Sequence, residues 1–193
     1  RKGKLDKTIP SLGGTIVNCA GGPTPWGSWL TCEETTTDLT PLGGKKHGYV
    51  FEVPWTGRKD AAEPIVDMGR FSHEAVAVDP HTGDVYLTED ARNVSGFYKF
   101  KPKFPQHRFG ALARGGKLYA ARVRGQANAD INVPKIGDAY KIDWVRIDDP
   151  DADPGPFSDA TVTATASGPF LQARAQGALR MGRGEGIWRS KRD

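Results

Sequence analysis

Apolar and polar positions alternate along the chain in short runs, and each run ends at a turn-forming residue. Alternation over about four to eight residues, rich in β-branched and aromatic side chains, is typical of β-strands. The strands predicted in this way are 14–20, 28–32, 48–54, 74–78, 84–88, 96–100, 117–123 and 144–147. No segment sustains the helical apolar period for long, and the best short helix candidate is 170–179.

One turn between two of these strands has explicit hairpin chemistry. The pentapeptide 79–83 reads DPHTG and separates the runs 74–78 and 84–88. Proline and glycine favour a tight turn, and the Asp79 side chain can cap it. The sequence therefore predicts an antiparallel hairpin at this position.

The number and spacing of the strands predict an all-β fold, and a β-propeller is favoured over a sandwich or barrel. The runs 48–53 (GYVFEV) and 96–100 (GFYKF) look like the same outer strand in successive blades. At about 40–50 residues per blade, a chain of 193 residues supplies about four blades. We treat 1–193 as one propeller segment of a larger domain, with an N-terminal extension at 1–12 and a loop at 150–160.

Charge and hydropathy exclude some classes of protein. The formal charge is +4 and no apolar run approaches the ~18 residues of a membrane span, so we predict neither a nucleic-acid partner nor a membrane span. Basic residues cluster near the C-terminus, at Arg180, Arg183, Arg189, Lys191 and Arg192. Such a cluster is typical of a solvated face or a fraying tail.

Acidic side chains recur where predicted strands begin or end. The strand 28–32 is followed by Glu33 and Glu34, the strand 84–88 is followed by Glu89 and Asp90, and Glu74 begins another. Oxygen ligands of this kind bind hard cations, so we expect a metal site assembled from distant parts of the chain. Consecutive residues of a strand face opposite sides, which predicts that at most one member of each pair reaches the metal.

Two cysteines, one histidine and a glycine-rich run lie near these acids in the sequence, and each allows more than one interpretation. Cys19 and Cys32 can form a disulfide, remain buried thiols or bind metal. His73 can orient a metal ligand through a hydrogen bond or be a satisfied structural residue. The glycine-rich run 20–22 can be a tight turn or a nest of amides for phosphate.

Several long motifs resemble the PhoX family of bacterial alkaline phosphatases. They are 18–34 (NCAGGPTPWGSWLTCEE), 69–75 (GRFSHEA), 84–90 (DVYLTED), 115–119 (GGKLY) and 183–188 (RGEGIW), in the same order as in the family. The resemblance implies a six-bladed propeller with iron (Fe³⁺) and calcium at its centre. It also implies hydrolysis of phosphate monoesters and export to the periplasm or cell exterior through a twin-arginine signal. Family members are much longer, so we expect this chain to be a central piece.

The resemblance and the residue chemistry together suggest roles for individual side chains. The family motif implies one cysteine ligand to iron, for which Cys19 is preferred, with an exchange of roles with Cys32 left open. The preferred carboxylate ligands are Glu34, Glu74 and Glu185, followed by Glu33, Glu89 and Asp90. Arg183 and Glu185 share one face of an extended segment, so Arg183 can hold phosphate while Glu185 binds metal. For the phosphatase, a metal-bridging oxygen or a metal-bound hydroxide is the expected nucleophile. The sequence contains no G-x-S-x-G motif that would suggest a serine nucleophile.

Two other functions are compatible with the same strand-end acids. The main alternative is a non-catalytic, calcium-binding propeller module that serves assembly or adhesion. A calcium-dependent lactonase shares the architecture, but it requires neither Cys19 nor the arginine. For any of these functions, an incomplete propeller exposes strand edges, so we also expect self-association or companion chains that complete the ring.

Overall fold

The computed structural model describes residues 5, 8–56, 63–105 and 107–190. Within these ranges the strands are β1 (Asn18–Pro23), β2 (Ser28–Glu33), β3 (Val50–Pro54), β4 (His73–Val78), β5 (Val85–Glu89), β6 (Phe97–Pro102), β7 (Gly116–Val123), β8 (Ile142–Ile147), β9 (Gly155–Ser158) and β10 (Thr163–Ala166). The described α-helix, α1, is Gly168–Ala175, and short 3₁₀ turns lie at Thr40–Leu42, Val66–Met68 and Leu112–Arg114. The chain is therefore mainly β, as the alternation predicts.

Eight of the strands form one sheet in the order β3-β2-β1-β4-β5-β6-β7-β8. All neighbours are antiparallel except β1 and β4, which meet in parallel with Gly21 opposite Ala75. The sheet is thus two up-and-down meanders, β1–β3 and β4–β8, joined at their first strands. The count of about four blades is not confirmed, since the described strands form this sheet and the separate hairpin of β9 and β10.

Two glycines allow the backbone of β1 to approach closely the strands on either side of it, β2 at Gly21 and β4 at Gly22. A Cβ on Gly21 would lie 1.9 Å from the Leu30 carbonyl oxygen, and one on Gly22 would lie 2.1 Å from that of Val76. The register of β1 against β2 also shifts between Cys19 and Gly22, which marks a bulge, and Gly21 has a φ of 66°. The run 20–22 is therefore part of β1 rather than a turn, since it pairs with β2 and β4. The close backbone contacts leave no room for side chains at Gly21 and Gly22.

The hairpin between β4 and β5 is confirmed. Asp79 donates its backbone N–H to Asp84, and its carboxylate accepts from the His81 N–H at 2.8 Å and the Thr82 hydroxyl at 2.8 Å. These contacts hold the pKa of the Asp79 carboxyl below its usual range. The turn residues thus fix the register of two strands that carry candidate ligands.

Aromatic packing fixes β4 against the strands beside it. The Phe71 ring lies between those of His73 and Tyr98, with centroid distances of 3.6 and 4.4 Å, and all three are buried. Burial of one such apolar side chain contributes roughly 1.5–3 kcal/mol to folding. The start of β4, which carries Glu74, is therefore held in a rigid part of the core.

The observed elements differ from the predicted ones at several boundaries. The strand predicted at 14–20 begins only at Asn18, because Val17 has a φ of 50°, outside the extended region. The predicted loop at 150–160 contains β9, which pairs with β10 and packs Phe157 edge-on against Phe170. The predicted helix begins two residues earlier, at Gly168, because the Ser167 hydroxyl caps it by accepting from the Phe170 N–H.

One residue of the predicted solvated C-terminal cluster is buried. The Arg180 guanidinium forms ion pairs with Asp130 and with Asp159, the latter at 2.9 Å, and it also donates to the Thr161 hydroxyl. Burial of an arginine requires such partners, which the sequence supplies from two distant loops. Two other members of that cluster, Lys191 and Arg192, lie outside the described residues, as does part of the predicted extension at 1–12.

None of the helices in the described ranges is long and apolar enough to cross a membrane. The eight-stranded sheet ends at β3 on one side and β8 on the other. Self-association or the addition of companion chains remains a prediction.

Candidate metal centre

Five potential metal ligands converge at one edge of the large sheet. Atoms of Cys19, Glu34 and Glu74 lie within 4.8 Å of one another, and so do atoms of Glu74, Asp90 and Glu185. Glu74 belongs to both groups and is buried, whereas the Glu185 side chain is exposed. The structure thus brings together five of the seven carboxylate and thiol residues that the sequence suggests as metal ligands.

The sheet topology explains why residues so far apart in sequence meet. Cys19 is the second residue of β1 and Glu74 is the second residue of β4, and these two strands run parallel and adjacent. Their antiparallel partners β2 and β5 end at the same edge, so Glu34 and Asp90, each one residue beyond a strand, arrive beside them. Four ligand positions therefore follow directly from strand direction.

A backbone contact positions the fifth ligand. The Gly184 N–H donates to the Glu89 carbonyl oxygen at 2.9 Å, and a Cβ on Gly184 would lie 2.6 Å from that oxygen. This contact holds the neighbouring residues Arg183 and Glu185 beside Asp90. This role of Gly184 is not among the sequence-based predictions, although the run GRGEG is a signal for a segment in which backbone atoms approach closely.

Arg183 connects the cluster to solvent. Its Nε donates to Asp90 Oδ1 at 2.7 Å, and one terminal nitrogen donates to Asp90 Oδ2. The same terminal nitrogen lies 3.3 Å from Glu185 Oε1. Because 57% of the Arg183 side chain is exposed, the guanidinium is accessible to a ligand from outside.

The pKa shifts in the cluster reflect an excess of negative charge. The hydrogen bond to Glu74, together with burial, raises the pKa of the Cys19 thiol to about 11. Burial, with the neighbouring Asp90 and Glu74, also raises the pKa of Glu34. By contrast, the hydrogen bonds from Arg183 lower the pKa of Asp90. One arginine faces four carboxylates here, so a bound cation would stabilise the charged forms.

Glu33 lies outside the cluster and has a different environment. Its buried carboxylate accepts from His47 Nδ1 at 2.7 Å and from the backbone N–H groups of Ile16, Gly48 and Tyr49. The opposite orientation of Glu33 and Glu34 agrees with the alternation of side chains along β2. The structure therefore does not bring Glu33 to the other candidate ligands.

Glu89 and His73 are also directed away from the cluster. Glu89 accepts from the Gly96 N–H, the Tyr98 hydroxyl and the Ser167 hydroxyl at 2.8, 2.7 and 2.6 Å, and burial raises its pKa to about 7. His73 donates from Nε2 to the Gly69 carbonyl at 2.9 Å, while its Nδ1 is buried without a partner among the described residues. Burial lowers the pKa of His73 to about 3, so the ring is neutral at ordinary pH.

Cys32 lies directly across the β1–β2 pair from Cys19, but in the apolar core. Both thiols are free, and burial raises the pKa of Cys32 well above its usual range. Only Cys19 belongs to a ligand group among the described residues. The exchange of roles left open by the sequence is therefore not favoured by the geometry.

The donor set fits a site for hard cations with one softer position. Carboxylate oxygens suit calcium and ferric iron, while a thiolate is a ligand for iron that calcium does not favour. Glu74 can serve two ions because it belongs to both groups. The residues present are therefore compatible with more than one metal ion.

Comparisons with known proteins agree with the sequence motifs. The family model described as "Alkaline phosphatase PhoX" matches residues 2–193. A solved structure, "Pseudomonas fluorescens PhoX in complex with vanadate, a transition state analogue", is similar in fold, with a TM-score of 0.60 at 24% sequence identity. The match covers 93% of this chain and 38% of that one. No curated protein matches.

Proposed function

The chain belongs to the PhoX family of alkaline phosphatases, and from this membership we propose that it carries the metal centre of a phosphatase acting on phosphate monoesters. The observation that carries the proposal is the position of Glu74, which joins two groups of candidate ligands. The chain spans 38% of the length of the similar solved structure. The described residues would therefore contribute the metal centre to a PhoX-type activity.

Iron and calcium are the proposed metals, and this chain offers a distinct ligand set for each. Cys19, with Glu34 and Glu74, would hold iron, since this group contains the thiol. Glu74, Asp90 and Glu185 supply only oxygen atoms and would hold calcium. Metals bound in such a site polarise a phosphoryl group and lower the pKa of water.

Arg183 is the proposed phosphate-binding residue. Its Nε and one terminal nitrogen already bind Asp90, while the other terminal nitrogen, Nη1, has no hydrogen bond to the described residues. The edge of the guanidinium formed by its two terminal nitrogens can therefore donate to phosphate oxygens. Asp90 would fix the orientation of the fork, and the guanidinium would stabilise charge that develops on the phosphoryl oxygens.

We also propose that the two meanders are neighbouring blades of a six-bladed propeller. In a propeller the inner strands of adjacent blades run side by side around the central channel, as β1 and β4 do here. The ligand cluster would then face that channel. By the same family membership, the proposed location is the periplasm or the cell exterior.

The decisive experiment combines metal analysis with turnover of p-nitrophenyl phosphate. The purified chain, loaded with iron and calcium, is expected to retain both metals and to release p-nitrophenol in a reaction that EGTA abolishes. The Glu74→Gln variant should lose both metals and turnover. Glu63→Gln, which changes an exposed carboxylate elsewhere, should behave as the unaltered chain.

Different outcomes separate the candidate functions. Calcium binding without iron and without turnover would contradict the phosphatase proposal and support the non-catalytic module. Turnover that survives in Glu74→Gln would contradict the assignment of the metal centre to this cluster.

A further inference from the structure

A basic groove of about 690 Å³ lies on the large sheet, where β6 ends and β7 begins. Four cationic side chains line it together with Tyr119 and Asp67. They are Lys101, Lys103, Arg114 and Lys117, and all four residues are exposed. The volume is within the range of about 300–1,000 Å³ that is common for ligand clefts.

The register of the sheet places two of these cations face to face. Lys101 of β6 and Lys117 of β7 are direct partners across the antiparallel pair. Like charges at directly opposed positions destabilise a sheet when nothing lies between them. The pairing of β6 with β7 therefore creates an unfavourable interaction that an anion would relieve.

The other two cations, Arg114 and Lys103, both contact the ring of Phe104. The Arg114 guanidinium lies 4.0 Å from the centroid of the Phe104 ring, and Lys103 Nζ lies 5.4 Å from it. Contacts with the same ring reduce the freedom of both groups before any ligand arrives. The four cations thus form two prearranged pairs at the same end of the sheet.

The groove contains little charge to neutralise them. None of the four cations forms an ion pair with a carboxylate in the described part of the chain. The one acidic residue of the lining, Asp67, uses Oδ2 to accept from the Gly116 N–H at 3.0 Å. Asp84, outside the lining, lies near enough to Lys101 for the two charges to interact. Four cations beside Asp67 and Asp84 still leave the groove with a surplus of positive charge.

Strand direction separates this groove from the candidate metal centre. β6 runs parallel to β4, because each is antiparallel to β5. Glu74 lies at the beginning of β4, whereas Lys101 lies near the end of β6, so the two sites are at opposite edges of the sheet. A ligand of the groove would therefore not be the group that reacts at the metals.

We propose that this groove binds a condensed phosphate chain, either free or carried by a nucleoside. A linear ligand with several charged phosphate groups can contact both cation pairs, whereas a single orthophosphate reaches only one. Tyr119, at the side of the groove, offers a partly exposed ring against which a nucleobase can stack. The shared element of the two ligands is the phosphate chain.

Calorimetric titration of the chain in EDTA tests this site without contribution from bound metals. The probes are inorganic triphosphate, ATP and orthophosphate. We expect the first two to bind and orthophosphate to bind at least about tenfold more weakly, since it makes fewer charge-assisted contacts. Tighter binding of ATP than of triphosphate would identify the nucleoside-borne chain as the ligand, and equal affinity would identify the phosphate chain alone.

The matched variants each remove two positive charges. Lys101→Gln with Lys117→Gln should weaken triphosphate binding about tenfold or more, while Lys135→Gln with Lys141→Gln, at exposed positions elsewhere, should leave it within about twofold. All four are surface changes, and circular dichroism verifies that the fold is retained. Equal affinity in both double variants, or orthophosphate binding as tight as triphosphate binding, would overturn the proposal.

Discussion

Arg183 and Asp90 are 93 positions apart in the chain, yet they form a two-point contact through Nε and one terminal nitrogen of the guanidinium. The two ends of this contact differ in exposure, because the Asp90 side chain is 4% exposed and that of Arg183 is 57% exposed. A buried carboxylate thus fixes one edge of the arginine, and the other edge leaves Nη1 accessible while Nη2 also lies 3.3 Å from Glu185 Oε1. Such a geometry is suited to the recognition of an incoming tetrahedral anion.

Replacement of Arg183 by lysine should distinguish the effect of the guanidinium geometry on substrate binding from the effect of its positive charge. Lysine keeps the positive charge but cannot bind Asp90 and phosphate in two-point contacts at once. We expect kcat/KM for p-nitrophenyl phosphate to fall about 10–100-fold, with metal content unchanged. Arg92→Lys, at another exposed arginine, is the control. A variant with unaltered kinetics would exclude Arg183 from substrate binding.

The consecutive residues Glu33 and Glu34 should respond to the same substitution in opposite ways. Glu33→Gln places an amide donor among four donors, so the free energy of unfolding should fall by about 1–3 kcal/mol. Glu34→Gln should leave stability of the metal-free chain nearly unchanged and weaken metal binding. Urea denaturation and elemental analysis measure the two effects. Loss of metal in Glu33→Gln with no loss of stability would contradict this division.

The same substitution at the two cysteines should also have different effects. Cys19→Ser should reduce the iron content while calcium is retained, because the substitution removes the one thiol of the ligand groups among the described residues. Cys32→Ser places a hydroxyl in the apolar core and should destabilise the chain by about 1–3 kcal/mol. Iron loss is measured on the folded fraction of each variant. Retention of iron in Cys19→Ser would reassign the iron ligand.

The two glycines that flank Glu185 provide a further matched pair. A Cβ on Gly184 meets the Glu89 backbone, whereas one on Gly186 meets nothing within 4 Å. Gly184→Ala should therefore displace Arg183 and Glu185, and calcium affinity should fall about 10–100-fold, as for changes in groups that orient ligands. Gly186→Ala should bind calcium normally. Equal affinities in the two variants would show that the backbone contact does not position the site.

His73 should make the stability of the metal-free chain depend on pH. Its pKa is about 3 when folded and near 6.5 when exposed, so the unfolded state binds more protons between these values. Stability should therefore be complete above about pH 6.5 and decrease as pH falls toward 3, by on the order of a few kcal/mol. His73→Gln should reduce this dependence, and His81→Gln, at an exposed histidine, should preserve it. Urea denaturation at pH 4.5 and 7 measures the difference.

The large strands could be predicted from the sequence because their signals are local. The turn 79–83 contains the residues whose side chains hydrogen-bond within it. The strands β2, β3, β5, β6 and β7 show clear runs of strand-forming residues. β9 and β10 were not predicted, since their stability depends on packing of Phe157 against a distant helix. The parallel contact of β1 with β4 was also not predictable from periodicity, because it depends on which glycines allow close approach.

At the candidate site, one member of each acidic pair points away from the cluster, in agreement with the alternation of side chains along a strand. Alternation did not decide which member, because that depends on distant partners: His47 for Glu33, and Tyr98 with Ser167 for Glu89. The ion pair of Arg183 with Asp90 likewise depends on the hydrogen bond from the Gly184 N–H to the Glu89 carbonyl oxygen. Long-range hydrogen bonds therefore account for most of what the sequence left open.

The contact between β1 and β4 also constrains the order in which the chain can fold. β2 pairs with β1 and β3 with β2, and β5 to β8 extend β4 strand by strand, so each meander forms from strands that are consecutive in the sequence. The contact of Gly21 with Ala75 closes a much longer loop and carries a larger entropic cost. Cys19 lies in the first meander and Glu74 in the second, so the two residues meet only when β1 pairs with β4. The group of Glu74, Asp90 and Glu185 does not involve β1, whereas the group of Cys19, Glu34 and Glu74 requires both meanders. We therefore expect the thiol-containing group to be completed only near the end of folding.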